Sequence, residues 1–188
     1  NIGMALKVVR TLVDMGKDPL LIVTGPPGTH SQDHEHYFQA LKKELGRLKI
    51  EKNVRFLYDC KDLHNPSLPL EVTDELVSGL YKLSDILFMP SKEEGFGLPL
   101  LEAGVHKLPV LCSDISPFRE IGGDNIEIFH LGEAPGDVAE KVLTLTEGSK
   151  TVRMFRSVIS EYRWEKIFKE QIEPFMLELQ KENRRADG

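Results

Sequence analysis

Five short apolar runs, Leu20–Thr24, Val54–Tyr58, Ile86–Met89, Pro109–Cys112 and Ile126–Phe129, alternate with longer helix-patterned stretches along the chain. Runs this short suit strands buried on both faces and fall short of an ordinary helix. Regular alternation of strand and helix returns each strand in the same direction, so the order predicts an α/β fold: a parallel sheet with helices on both faces. In such a sheet the ligand-facing loops lie beyond the carboxyl ends of the strands. Helices are expected at roughly 3–15, 36–49, 74–83, 99–106, 136–146, 151–161 and 164–181. Another carries Arg119 and Glu120 up to a Gly122-Gly123 turn. With 188 residues and 40% hydrophobic content, the chain can bury a full core and reads most simply as one domain, 1–188.

The segment that speaks to chemistry is Glu94-Gly95-Phe96-Gly97-Leu98-Pro99-Leu100-Leu101-Glu102. It follows the apolar run ending at Met89, and the residues after it, to His106, are good helix formers, so the unit is strand, glycine loop, helix. Gly95 and Gly97 let the backbone turn tightly and approach a ligand, and Pro99 suits the first helical position. Unpaired amides and the dipole at such a helix start favour an anion, usually a phosphate or diphosphate. Carboxylates beside that site would repel the phosphate, so Glu94 and Glu102 are better explained as acceptors for hydroxyls of a sugar or a ribose. Phe96 reads as a packing residue of which only the backbone need be functional.

Ser91 to Ala103, with Leu108-Pro109-Val110-Leu111-Cys112-Ser113-Asp114, Arg119-Glu120-Ile121 and Tyr162-Arg163-Trp164, closely resembles the donor-binding domain of retaining GT-B glycosyltransferases, in particular glycosyltransferase family 4. That family's E-x7-E signature is met by Glu94 and Glu102. The resemblance implies a Rossmann-like domain, one half of a GT-B fold, that binds a nucleoside-diphosphate sugar such as a UDP- or GDP-hexose. It implies Glu94 on the sugar hydroxyls, in the catalytic position, with the amides of Gly95, Phe96 and Gly97 along the sugar. Leu98 and Leu100 would supply amides to the diphosphate, and Glu102 would bind the ribose. Gly25 would line the donor cleft and Tyr58 would lie near the base, although the glycine that the family often has at the position of Tyr58 or Asp59 is missing. No cofactor or metal is implied. The family's upstream arginine and lysine have no counterpart here, so the resemblance further implies a fragment lacking the first strand and the N-terminal acceptor domain. Such a fragment would be inactive alone, its acceptor being a sugar, a lipid or a small molecule.

The remaining features read mainly as structural. Thr24-Gly25-Pro26-Pro27-Gly28-Thr29-His30 lacks the Gly-Lys-Ser/Thr ending of a nucleoside triphosphate loop, and two prolines remove donors. His30, Asp33, His34, Glu35 and His36 are too irregularly spaced for a metal site. A net charge of -6 argues against nucleic acid as a partner. No stretch reaches transmembrane length. Cys60 and Cys112 read as reduced thiols of a cytoplasmic protein, with peripheral attachment at the inner membrane face left open for the full-length protein. Cys60–Thr73 is a long loop of the kind that tunes specificity or simply lies on the surface. Phe168, Ile172, Phe175, Met176 and Leu179 form an apolar stripe on the last helix. Two other readings share the architecture: a non-catalytic nucleotide-sugar sensor, and a sugar-phosphate phosphorylase or nucleotide-sugar epimerase.

Overall fold

The computed structural model describes residues 1–25, 32–62, 65–148 and 164–177, without the side chains of 32–35, 164, 165 and 171. The chain divides into two compact units, Asn1–Leu145 and Thr146–Gly188. In chain order the first unit runs α1 (Ile2–Asp14), β1 (Leu21–Val23), α2 (Gln32–Leu48), β2 (Val54–Phe56), α3 (Asp74–Leu83), β3 (Leu87–Met89), α4 (Leu98–Val105), β4 (Val110–Ser113), α5 (Ser116–Gly122) and β5 (Glu127–Phe129). Helix α6 (Pro135–Glu147) follows.

Every strand pair is parallel, as the alternation predicts. The ladder, however, is split: among the described residues β1 pairs only with β2, and β3, β4 and β5 form a second sheet in that order. The expected parallel, Rossmann-like α/β arrangement is present, its described strands falling into two ladders. The registers are Leu21 opposite Val54 in the first sheet, with Leu87 opposite Val110 and Leu111 opposite Glu127 in the second. Helix α1 packs against both sheets. Its Leu6 and Val9 enter a cluster with Phe38, Leu41, Ile50, Val54 and Phe56. Its Val8 and Leu12 join Leu111, Phe129, Val138 and Ala139. A helix whose apolar residues fall at 5, 6, 8, 9 and 12 presents a stripe broad enough to cover two sheets at once.

A third cluster lies beneath α4 and α5, where Leu100, Ala103, Leu108, Val110, Cys112 and Phe118 are all buried. Strand β4 is buried at every position, which explains its uninterrupted Val-Leu-Cys sequence. Strand β2 is shorter than its apolar run suggests, because Leu57–Asp59 turn into a 3-10 helix closed by Cys60 N–H donating to the Leu57 carbonyl at 3.0 Å. Helix α2 starts four residues before its expected beginning at His36. Shortly after α2 and α4 end, a lysine takes left-handed backbone, Lys49 and Lys107, at φ 55° and 56°.

The loop 60–73 closes on itself through an antiparallel bridge between Lys61 and Pro69 and through Leu70 N–H donating to the Cys60 carbonyl at 2.9 Å. In the second unit the expected long last helix is a turn at Trp164–Ile167 and a π-helical turn at Phe168–Ile172, with α-helix resuming to residue 177. Phe168, Phe175 and Met176 of the expected apolar stripe are exposed. The helix expected over 151–161 and residue Leu179 lie outside the described residues. No described helix is long and apolar enough to cross a membrane.

Candidate functional site

Strand β3 ends at Met89, and the chain from Pro90 to Gly97 carries no regular structure before α4 begins. Gly97 caps that helix in left-handed backbone, φ 98° and ψ 36°, and no side chain hydrogen-bonds to the cap. Two constraints meet at this glycine. Its φ disfavours any side chain, and a Cβ there would lie 3.2 Å from Phe118 Cδ1 and 3.4 Å from Ile121 Cδ1. The fold itself therefore demands Gly97, because α5 packs directly against the turn.

Gly95 is different. A Cβ at that position would meet nothing within 4 Å, so packing within the chain gives no reason for a glycine there. Phe96 between them is 59% exposed, which corrects its reading as a packing residue: it is Gly97, not its neighbour, that touches the core. Leu98 is equally exposed.

Helix α4 begins at Leu98, so Pro99 takes its second position. An N–H at the first helical position has no intrahelical acceptor, and Pro99 has no N–H to offer. Leu100 N–H donates to the Gly97 carbonyl at 3.0 Å. This corrects the expectation for Leu100: its amide closes the first turn and is not free for a diphosphate. Among the described residues, no acceptor engages the amides of Gly95, Phe96, Gly97 or Leu98. These four sit at the positive end of the helix dipole or in the loop leading to it.

The two carboxylates are held differently. Glu94 is half-buried and makes no hydrogen bond or ion pair with any described residue, so its acceptor capacity is unclaimed. Glu102 is exposed on α4, and its Oε2 accepts from the Tyr81 hydroxyl of α3 at 2.8 Å. The Tyr81 ring stacks on His106, with centroids 5.5 Å apart and planes 13° from parallel, and His106 Nε2 lies 3.4 Å from Ser78 Oγ. Burial, followed by the bond to Glu102 and its charge, pushes the Tyr81 phenol pKa well up. Tyr81 was not foreseen. Nothing local marks it, since its contact with Glu102 arises only when two helices pack.

A cleft of about 620 Å³ opens beside the loop, lined by Asn1 and Gly3, by Tyr37 and Leu41 of α2, and by Ser91, Lys92 and Glu93. Lys92 brings a cation to its wall, a role the sequence reading did not assign. The loop's base is tied to β4 by a short hydrogen bond from the buried Ser113 hydroxyl to the Ser91 carbonyl. Gly25 is exposed two residues beyond β1 and is not part of that lining. Tyr58 packs its ring on Phe38 and Phe56, at 4.9 and 5.5 Å between centroids. Its hydroxyl is buried with no hydrogen-bond partner among the described residues, and burial, then the neighbouring Asp59, pushes its pKa up to about 12.

A second polar group lies at the ends of β4 and β5. Arg119 binds Asp114 through Nε and, at 2.6 Å, through a terminal nitrogen. His130 Nδ1 lies 3.0 Å from the same carboxylate. The Arg119 hydrogen bond holds Asp114 below the usual carboxylate range, and His130 adds to the effect. No three His, Cys, Asp or Glu side chains converge as a metal site among the described residues. Of the polar cluster at 30–36, only the His36 side chain is described, and it is exposed. The loop beyond Gly25 lies outside the described residues up to 31.

Residues 1–159 match the family model described as glycosyl transferases group 1. The serotype-specific mannosyltransferase WbdA of Escherichia coli is 42% identical over 90 residues, which is 44% of this chain and 11% of that protein. The D-inositol 3-phosphate glycosyltransferase of Corynebacterium glutamicum is 29% identical over 164 residues, 84% of this chain and 35% of the enzyme. The chain thus spans about a tenth to a third of these relatives' length. Among solved structures, the C-terminal domain of the group 1 family protein LpcC from Francisella tularensis superposes with a TM-score of 0.60 at 17% identity, covering 87% of this chain and 80% of that one. A UDP-forming trehalose-phosphate synthase from Burkholderia xenovorans gives 0.62 at 15% identity, covering 82% and 36%. Both likenesses speak to the fold.

Proposed function

The chain belongs to the group 1 glycosyl transferases, and from that premise we propose that it is the donor-binding domain of a retaining glycosyltransferase, taking a UDP- or GDP-hexose for transfer to an acceptor held elsewhere in the protein. The observation that carries this reading is the start of α4. The helix has no side-chain cap, the amides before it are unengaged, and it is bracketed by an unclaimed carboxylate, Glu94, and an anchored one, Glu102. Gly95, which the fold does not require, leaves space for a ligand to come close to the loop.

In this reading the amides of Gly95, Phe96 and Gly97 lie along the sugar, and that of Leu98 faces the diphosphate. Glu94 accepts hydrogen bonds from the sugar hydroxyls and Glu102 from the ribose. Gly25 lies at the rim and Tyr58 on the base side, where its packed ring offers a wall. As the bond from the anomeric carbon to the diphosphate oxygen breaks, negative charge grows on the leaving group at the helix start, where fixed dipoles stabilise it. Glu94 orients the sugar and forms no covalent bond. No cofactor or metal is required, and the free thiols of Cys60 and Cys112 suit a cytoplasmic setting. The mannosyltransferase relative makes mannose the first sugar to try.

Ligand-observed NMR against UDP, GDP and ADP and their glucose and mannose conjugates tests the proposal, with Glu94→Ala and Glu102→Ala alongside. Glu102→Ala should weaken the bare nucleotide, and Glu94→Ala only its sugar conjugate. Equal effects of both substitutions on nucleotide and conjugate would remove the assignment of roles.

A further inference from the structure

Helices α3 and α4 meet through two contacts that run in opposite chain directions. Tyr81 meets Glu102, and one turn earlier on α3 Ser78 meets His106, the C-cap of α4 one turn after Glu102. The lower contact stacks His106 under the Tyr81 ring, which fixes the ring plane and so the direction of its hydroxyl. That hydroxyl donates to one oxygen of Glu102 only, Oε2, at 2.8 Å. Oε1 accepts from no described residue.

A glutamate on an exposed helix face samples several rotamers, and a ligand that needs one of them has to freeze it on binding. We propose that Tyr81 is a positioning residue that holds Glu102 in its ligand-binding rotamer and leaves Oε1 free to accept from vicinal hydroxyls of a ribose. The assignment rests on the donor-site reading above, in which Glu102 meets the ribose. A helix clamp alone would account for a hydrogen bond between α3 and α4, made stronger by the charged acceptor, but it would use one oxygen of Glu102 and leave the other in solvent, within reach of a ligand's hydroxyls.

Titration of the full chain with UDP and GDP, and with their 2′,3′-dideoxy counterparts, separates the two roles. The variants are Tyr81→Phe, which keeps the ring on His106, Glu102→Ala, and the double substitution. Tyr81→Phe should weaken binding of the ribonucleotide by about two- to tenfold, the size expected for freezing one long side chain together with losing one hydrogen bond. It should leave the dideoxy nucleotide unaffected and add nothing in the Glu102→Ala background. A Tyr81→Phe loss of the same size for both nucleotides, or one that persists without Glu102, would overturn the proposal while leaving the donor site standing. So would an unchanged ribonucleotide affinity in Tyr81→Phe while Glu102→Ala discriminates ribose from dideoxyribose. Failure of Glu102→Ala itself to discriminate the two sugars, or failure of every nucleotide to bind, would overturn the donor-site reading and this proposal together.

Discussion

The Tyr81 hydroxyl lies 2.8 Å from Glu102 Oε2, joining residues 21 positions apart. Each residue belongs to a different helix, and the pair exists because Leu100 and Ala103 bury the opposite side of α4, which turns Glu102 outward beside α3.

The same contact has a consequence at alkaline pH. Tyr81 is pushed upward by burial and by Glu102, Tyr58 by burial to about 12, and burial raises the Cys112 thiol to about 11. All three folded-state values lie above the ordinary ones, so the folded chain keeps these protons longer than the unfolded chain does. Their contribution to stability is full below the ordinary thiol value near about 9 and is lost as pH rises through the folded values. Urea midpoints followed from about pH 8 to about pH 12 should stay level and then fall. A level midpoint throughout would show that these groups are not shielded.

On the acid side Asp114 with Arg119 is one of several depressed carboxylates, alongside Asp14, Glu44, Glu75 and Glu133. The folded pKa of Asp114 is depressed, so its contribution is present above the ordinary aspartate value of about 3.9 and disappears as pH falls through the depressed one. Carboxyl-carbon NMR titration should show Asp114, like Asp14 beside Arg10, ionising below the ordinary aspartate range. Arg119→Ala should return it part of the way, since His130 remains beside the carboxylate.

The two loop glycines should separate stability from binding. Gly97→Ala places a Cβ against Phe118 in a left-handed backbone and should cost about 1–3 kcal/mol, read from denaturant midpoints. Gly95→Ala meets open space and should change stability by less than about 0.5 kcal/mol, yet weaken the nucleotide-sugar conjugate in the NMR assay. A Gly95→Ala chain that binds the conjugate like wild type would place the ligand away from this loop.

Just past the C-cap of α4, Lys107 takes left-handed backbone and Leu108 N–H donates to the Ala103 carbonyl at 2.9 Å. Glycine is the usual residue for that turn. Lys107→Gly should stabilise the chain by about 0.5–1 kcal/mol, seen as a higher Tm. Unchanged or lower stability would mean that the lysine side chain compensates for its backbone.

Local sequence was enough to place the strands and most helices of the first unit, because the apolar runs and helical stripes that mark them are periodic over a few residues. It also picked out the loop from Glu94 to Glu102, since glycines and a proline constrain backbone wherever they stand. Long-range packing decided the rest. The break between β1 and β3 depends on which edges pair, a choice that two similar apolar runs leave open. Gly97 makes the expected tight turn, while Phe96 beside it is exposed rather than packed, because the core beneath the turn is made by Phe118 and Ile121, more than twenty residues further along. Leu100 lost its free amide to the tight first turn that Gly97 sets. Tyr81 reached Glu102 only through the antiparallel contact of α3 with α4. A sequence fixes what each residue prefers within its own turn or strand. Which distant surface it then meets depends on how all the elements share one core, and that is where the anchoring of Glu102 was decided.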